Sequence, residues 1–88
     1  MKIEKPACAG TLESSDVYVE VSPCATVEIE VSSVVAAQFE HLITQTANQV
    51  LEQWNVSGAR LILKDRGALD CTIRARIETA LRRAAKGG

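Results

Sequence analysis

Few residues of this chain are equipped for chemistry, and they are scattered. The one histidine, His41, sits between Glu40 and Leu42 in a stretch of helical periodicity, where a surface or packing role is the stronger reading. Cys71 follows Asp70 at the start of another helical segment, whose dipole could lower a thiol pKa, but no histidine stands close in sequence to serve as its base. Glu28 and Glu30 lie two apart in an alternating run, so they share one side of a strand and read as its solvated face. There is no Gly-rich phosphate loop and no metal-ligand cluster. What remains is Gly10-Thr11-Leu12-Glu13-Ser14-Ser15-Asp16, two serines and two carboxylates just ahead of a regular strand. A serine on such a polar turn is free of packing and suits a hydroxyl that another enzyme must reach. An enzyme needs positioned acids, bases or nucleophiles in a water-poor pocket, and this chain does not read as a self-sufficient catalyst.

The elements around that turn follow from periodicity. Val17, Val19 and Val21 alternate with Tyr18, Glu20 and Ser22, which predicts a half-buried strand. Val27, Ile29 and Val31 alternate in the same way after Ser22-Pro23-Cys24-Ala25, and the short Pro-containing link predicts that the two runs pair antiparallel. Ala9 to Glu13 supplies a further short strand that folds back through Ser14-Ser15-Asp16. Ser32-Ser33 reads as a helix N-cap, followed by Val35, Phe39, Leu42, Ile43, Ala47, Val50 and Trp54 at three- and four-residue intervals. That helix is expected to end near Asn55. Arg60-Leu61-Ile62-Leu63-Lys64 is a short apolar run expected to be a strand buried on both faces, ended by the turn Asp65-Arg66-Gly67. Ile73, Ile77, Leu81 and Ala84 mark a last helix, with Asp70 placed to cap it and Arg82, Arg83 and Lys86 at its C-terminal end. The order β-β-β-α-β-α predicts an α+β fold: a small, mainly antiparallel sheet with two helices packed on one face.

Composition narrows the function classes. Eighty-eight residues, 47% hydrophobic and 24% charged, make one folded domain spanning residues 1–88, with little material for a deep cleft between subdomains. Tyr18, Phe39 and Trp54 are the only aromatics, too few for a base-stacking surface. Arg74, Arg76, Arg82 and Arg83 could meet phosphates, but Arg74 and Arg76 flank the helix instead of sharing one stripe, and the net charge of −1 opposes a polyanion; no nucleic-acid partner is expected. No apolar run approaches the ~20 residues of a membrane span and no secretory signal is visible, so a cytoplasmic location without membrane association is expected. Cys8, Cys24 and Cys71 are widely spaced and read as reduced thiols, at least partly buried. From Pro6 to Ala59 there is no Lys or Arg against seven acidic residues, whereas Arg60 to Gly88 carries eight basic residues and three acidic ones. Such a split fits docking between differently charged surfaces, or simply solvated elements.

Gly10-Thr11-Leu12-Glu13-Ser14, the Asp16-Val17 strand start and, above all, Asp65-Arg66-Gly67-Ala68-Leu69-Asp70-Cys71-Thr72-Ile73-Arg74-Ala75-Arg76 resemble the acyl carrier (gamma) subunit of bacterial citrate lyase. The resemblance runs from Met1 to about Ala85; its second motif is long and specific, its first short. It implies that Ser14 carries a covalent phosphoribosyl-dephospho-coenzyme A arm through a phosphodiester, which makes the chain a phosphoprotein. The arm ends in a thiol that is acetylated in the active complex. The resemblance further implies that an alpha subunit (acyl transferase) exchanges acetyl for citryl and releases acetate. A beta subunit (acyl lyase) then cleaves the citryl thioester to oxaloacetate, which is the cleavage step of citrate fermentation. An arm-attaching transferase and an acetylating ligase act transiently.

The common fatty-acid carriers, four-helix bundles with a modified serine in Asp-Ser-Leu, are a different scaffold: Asp-Ser-Leu is absent here and strands are plentiful. Two alternatives stay open: the carrier subunit of malonate decarboxylase, with the same kind of arm, and a cofactor-free partner-docking module. Asp70, Arg74 and Arg76, with the Asp65–Asp70 loop, are candidates for contact with partner subunits or the arm's phosphates; equally, Asp70 caps the last helix while the arginines are solvated. Ser15 adjoins Ser14 with the same chemistry, and only the motif distinguishes them.

Overall fold

A computed structural model of the protein describes residues 1–35 and 37–85. Its elements run β1 (Ala7–Gly10), β2 (Val17–Ser22), β3 (Val27–Ser33), α1 (Ala37–Gln53), β4 (Ala59–Asp65) and α2 (Asp70–Ala85), in the expected order. The sheet is ordered β1-β2-β4-β3. β1 and β2 form an antiparallel hairpin, β2 pairs antiparallel with β4, and β3 pairs parallel with β4.

The expected β2–β3 pair is therefore corrected, because β4 lies between them. The physical reason is the connection after β3. A parallel neighbour requires a crossover of a dozen residues or more, and α1 provides it, returning the chain so that β4 enters the sheet beside β3. β4 then offers its other edge to β2, and the short Pro23 link spans a gap one strand wide.

Val17, Val19 and Val21 of β2, and Leu61 and Leu63 of β4, point to one face and are buried. Ile43, Ala47, Val50 and Leu51 of α1, with Ile73, Ile77, Ala80, Leu81 and Ala84 of α2, close over them. α2 lies against β1 and β2, and α1 against β3 and α2. The other face of the sheet is open, so the expectation that β4 is buried on both faces is also corrected. Arg60 and Lys64 are exposed there, and Ile62 is half-covered between its register neighbours Glu20 and Glu30. Helices cover only one side, and long polar side chains do the rest.

α1 ends as expected. Asn55 adopts φ 54°, Val56 N donates to Leu51 O (2.9 Å) and Asn55 N to Glu52 O (3.1 Å), the paired bonds of a Schellman cap. Its start differs from expectation: β3 runs through Ser33, and α1 begins only at Ala37. Ser33 instead organises the connection, its Oγ accepting from Val35 N (3.2 Å) and donating to Asp65 Oδ2 (2.8 Å). Val35, Phe39 and Leu42, expected on the buried stripe, are 42%, 46% and 52% exposed. Lys86, expected beside Arg82 and Arg83 at the end of α2, lies outside the described residues. Cys8 and Cys71 are exposed and not packed, one on the open sheet face and one on the outer side of α2.

Candidate functional site

The Ser14 turn joins β1 to β2, and its geometry is built from both ends. Gly10 takes φ 89°, and a Cβ there would come within 1.9 Å of Val17 O, so only glycine lets the hairpin strands approach this closely before the loop opens. At the other end Asp16 gathers the loop. It accepts from Thr11 Oγ1 (2.7 Å) and from Val17 N (2.8 Å), and Thr11 Oγ1 in turn accepts from Glu13 N (3.2 Å). The Asp16 N–H closes the inner turn onto Glu13 O (3.2 Å).

From the far side of the sequence, Arg76 of α2 meets Asp16 in a two-pronged ion pair, Nε to Oδ1 at 3.1 Å and Nη2 to Oδ2 at 3.0 Å. The Asp16 carboxyl is held down at about 2, chiefly by the Thr11 hydroxyl and the Val17 N–H, against an opposing effect of burial, with the Arg76 guanidinium adding to the lowering. It is therefore a fixed anion near neutral pH. A second clasp is purely backbone. Ser15 N donates to Arg66 O (2.9 Å) and Arg66 N to Asp16 O (2.9 Å), so the turn is stitched to the β4–α2 connection. Ser15 sits at φ 66°, a left-handed conformation that lets the loop turn into this clasp.

Within this scaffold Ser14 and Ser15 are both exposed. Among the described residues neither hydroxyl is engaged in a hydrogen bond, whereas the backbone around them is tied on three sides. The arrangement presents a hydroxyl at a fixed place without committing it to any partner. The exposed hydroxyls lie beside Arg66, which is itself exposed and is held to the turn through its backbone.

The other candidate residues have internal partners. Asp70 accepts from Thr46 Oγ1 (2.7 Å) and from Arg74 Nε (3.1 Å), and Arg74 also donates to Gln49 Oε1. The Asp70 carboxyl is thus lowered, first by Thr46, and clasps α1 to α2; no main-chain N–H of α2 bonds to it, so the expected side-chain cap is corrected. Its charge still lies in the first turn, where the helix dipole favours it. Arg74 and Arg76 leave the helix on different sides, Arg76 toward the serine turn and Arg74 toward α1. His41 is exposed on α1 with Gln45 as its neighbour (3.3 Å). Among the described residues no three His, Cys, Asp or Glu side chains gather as metal ligands, and no helix is long and apolar enough to cross a membrane.

Two features escaped the sequence reading. Asp65 is a buried carboxylate, 3% exposed, that accepts from Ser33 Oγ (2.8 Å) and Ala68 N (3.0 Å), while its carbonyl takes Val34 N (3.3 Å). It ties together the connections on either side of the sheet end. Its only sequence signal was its place at the end of an apolar run, since its partner Ser33 becomes a register neighbour only through the parallel pairing. The second is a groove of about 610 Å³ between the N-terminal half of α1 and the β4–α2 connection, lined in part by Val35, Phe39, Leu42, Ala68 and Leu69.

Comparison with known proteins decides the family. A citrate lyase acyl carrier protein of Haemophilus ducreyi is 51% identical over 84 residues, covering 96% of this chain and 88% of the relative. One from Treponema denticola is 45% identical over 84 residues, covering 96% and 97%. The chain belongs to the citrate lyase acyl carrier protein family. The broader family profile described as malonate decarboxylase delta subunit (MdcD) matches residues 4–84. A chain of a Pseudomonas malonate decarboxylase hetero-tetramer, solved in complex with malonate, shares the fold with a TM-score of 0.62 at 17% identity, covering 96% of this chain and 92% of that one. As members of a family named for carriage, these relatives agree with the sequence expectation of a carrier subunit that is not itself a catalyst.

Proposed function

We propose that this protein is the acyl carrier subunit of citrate lyase, 1–88 forming one cytoplasmic carrier domain, with a phosphoribosyl-dephospho-coenzyme A arm joined to Ser14 through a phosphodiester. The observation that carries this reading is the combination of an exposed, unengaged Ser14 hydroxyl with a turn immobilised by Asp16, Arg76 and the Arg66 backbone. When bound, the arm supplies a terminal thiol that holds acetyl or citryl groups as thioesters. The chain's own part is to present, position and release. Ser14 Oγ bonds to the phosphorus of an activated phosphoanhydride donor of the arm, whose P–O bond to the leaving phosphate group breaks, and gives its proton to a base of the attaching transferase, because neither neighbouring carboxylate suits that role. Glu13 is exposed, and Asp16 is a firmly ionised anion already filled with donors. Arg66 lies at the correct end of β4 to meet the phosphodiester charge. The fixed Asp16–Arg76 pair keeps the tether point in one place while partners change.

Those partners are the alpha (acyl transferase) and beta (acyl lyase) subunits, with an arm-attaching transferase and an acetylating ligase in transient contact. Covalent attachment keeps the thioester at high local concentration near each partner site. The outer sides of Asp70 and Arg74 remain open to a partner surface or to the arm's phosphates, and Arg76 contributes by ordering the turn. The relatives near half identity favour citrate lyase over malonate decarboxylase, to which the chain is linked by a family profile over residues 4–84 and by a fold shared at 17% identity. The test is intact-mass measurement of the protein co-expressed with the arm-building enzymes, followed by tandem mass analysis of the turn peptide. The arm's mass on Ser14, lost in Ser14→Ala and kept in Ser15→Ala, is expected. An unchanged mass refutes the reading in favour of a cofactor-free docking module. Co-purification with a malonate decarboxylase alpha subunit instead of citrate lyase partners reassigns the complex.

A further inference from the structure

The groove between α1 and the β4–α2 connection is a feature of the fold that the carrier reading leaves unused. Its walls are apolar and open: Val35, Phe39 and Leu42 are 42%, 46% and 52% exposed, and Leu69 on the opposite wall is 72% exposed. Scattered single apolar residues on a surface need no account, but a contiguous set around a concavity marks a binding site. At about 610 Å³ it falls within the ~300–1,000 Å³ of small-molecule sites. It is also a concavity, unlike the broad patches of ~800 Å² per partner that protein subunits bury against one another.

Its location narrows the occupant. The floor is formed by Gly67 and Ala68, which follow directly on Arg66, and Arg66 is bonded through both its N–H and its C=O to the Ser14 turn. Arg66 is thus the one residue between the turn's backbone bonds and the groove lining, which brings the groove within reach of a group joined to Ser14. The walls are held in place independently of any ligand: Asp65 pins the floor through Ala68 N, and the Thr46–Asp70 bond pins α1 to α2 behind it. Its polar lining is the Gln45 and Gln49 amides, the Arg74 guanidinium, Thr46 and the Asp65 and Asp70 carboxylates, the two carboxylates already accepting from Ser33, Ala68, Thr46 and Arg74.

We propose that this groove seats the nucleoside half of the arm, the adenine ring lying between Phe39 and Leu69 with its polar edge toward Gln45 and Gln49. The inference rests on the reading of Ser14 as the attachment point. A planar, apolar-faced base with hydrogen-bonding edges matches two apolar walls and a pair of amides, and the phosphates that flank it fall toward Arg66, next in the chain to the lining, and toward Arg74 within it. Because the base is tethered, its effective concentration is of order millimolar. Contacts with an intrinsic dissociation constant near ~1 mM then keep the groove about half filled, firm enough to shorten the sweep of the arm and weak enough to yield to a partner subunit.

The experiment compares the protein with and without its arm, loading confirmed by mass on the Ser14 peptide, by NMR of labelled methyl and aromatic groups. The expected result is shift changes at Phe39, Leu42, Leu69 and Ile73, with nuclear Overhauser contacts from the adenine ring protons to the Leu42 and Leu69 methyls. Leu69→Glu, at a surface position that the core does not need, should abolish those contacts while the mass of the arm stays. Shift changes confined to the serine turn and Arg66 in the loaded protein overturn the proposal and leave the carrier reading intact. So does perturbation of the groove residues only on addition of a partner subunit, which makes the groove a subunit interface. Absence of the arm's mass from Ser14 overturns both.

Discussion

Replacing Asp16 by asparagine removes the charge that organises the serine turn while the side chain keeps its size, at the exchange of one accepting oxygen for an NH2 donor. The folded carboxyl titrates at about 2 against 3.8 for an unconstrained aspartate, so the folded state favours the ionised form. At about 1.36 kcal/mol per pH unit, that difference sets a ceiling near 2.5 kcal/mol. Solvent screening lowers it, since the Arg76 side chain is 40% exposed even though Asp16 is only 14% exposed. A loss of about 1–2 kcal/mol for Asp16→Asn near neutral pH follows. The folded value lies below the unfolded one, so this stability is fully present above about pH 4 and drains away as pH falls toward about 2. Urea unfolding followed by circular dichroism should therefore place the variant's midpoint roughly 1 M below the parent's at neutral pH, for a slope of about 1–1.5 kcal/mol per M. The two curves should converge in acid. A deficit of the same size at every pH would mean that the shape of the side chain, not its charge, holds the turn, and the electrostatic account would be wrong. No deficit at neutral pH would refute it more simply.

Thr46→Val removes the hydroxyl that contributes most to lowering the Asp70 carboxyl; NMR titration should find that carboxyl moved up toward its ordinary range, with about 1 kcal/mol of stability lost. Gly10→Ala forces a Cβ into Val17 O at a left-handed backbone position, and a loss of roughly 2 kcal/mol or more should be visible in thermal unfolding. Leu81→Ala, at a fully buried α2 position, should cost about 2–5 kcal/mol by urea denaturation, whereas Leu69→Ala, at 72% exposure, should stay within ~0.5 kcal/mol.

The elements were legible because each declares its own period. Val17, Val19 and Val21 read as a half-buried strand, and Ile73, Ile77, Leu81 and Ala84 as a helix face, since one turn of helix or one pleat is all that such patterns need. Pairing was not legible. The alternation of Val27, Ile29 and Val31 says that a strand exists and which face is apolar, but nothing in it says that β4, some thirty residues later, will take the place beside it. The same limit explains the exposed half of α1. Phe39 and Leu42 keep the spacing of a core stripe, yet the sheet ends before it reaches them, and periodicity names a face without naming what covers it. The Ser14 turn was legible from composition and motif, while the Arg76 clamp was not, because a contact across 60 residues leaves no mark at either end.

That clamp changes how a non-catalytic subunit has to be understood. A serine in a loose loop would add the motion of the loop to that of anything attached to it. Here the loop is fixed by a two-pronged ion pair to α2, by a backbone stitch to the end of β4, and by the Thr11–Asp16 bond within itself. α2 in turn is seated by Ile77 and Leu81 in the core, so the position of the Ser14 backbone is referred to the most buried part of the molecule. On the carrier reading, the mobility that delivers the acyl group then belongs to the arm, and the protein supplies a stationary pivot. Substitutions at Arg76 or Asp16 should therefore act on delivery by loosening the pivot, even though neither residue touches the acyl group.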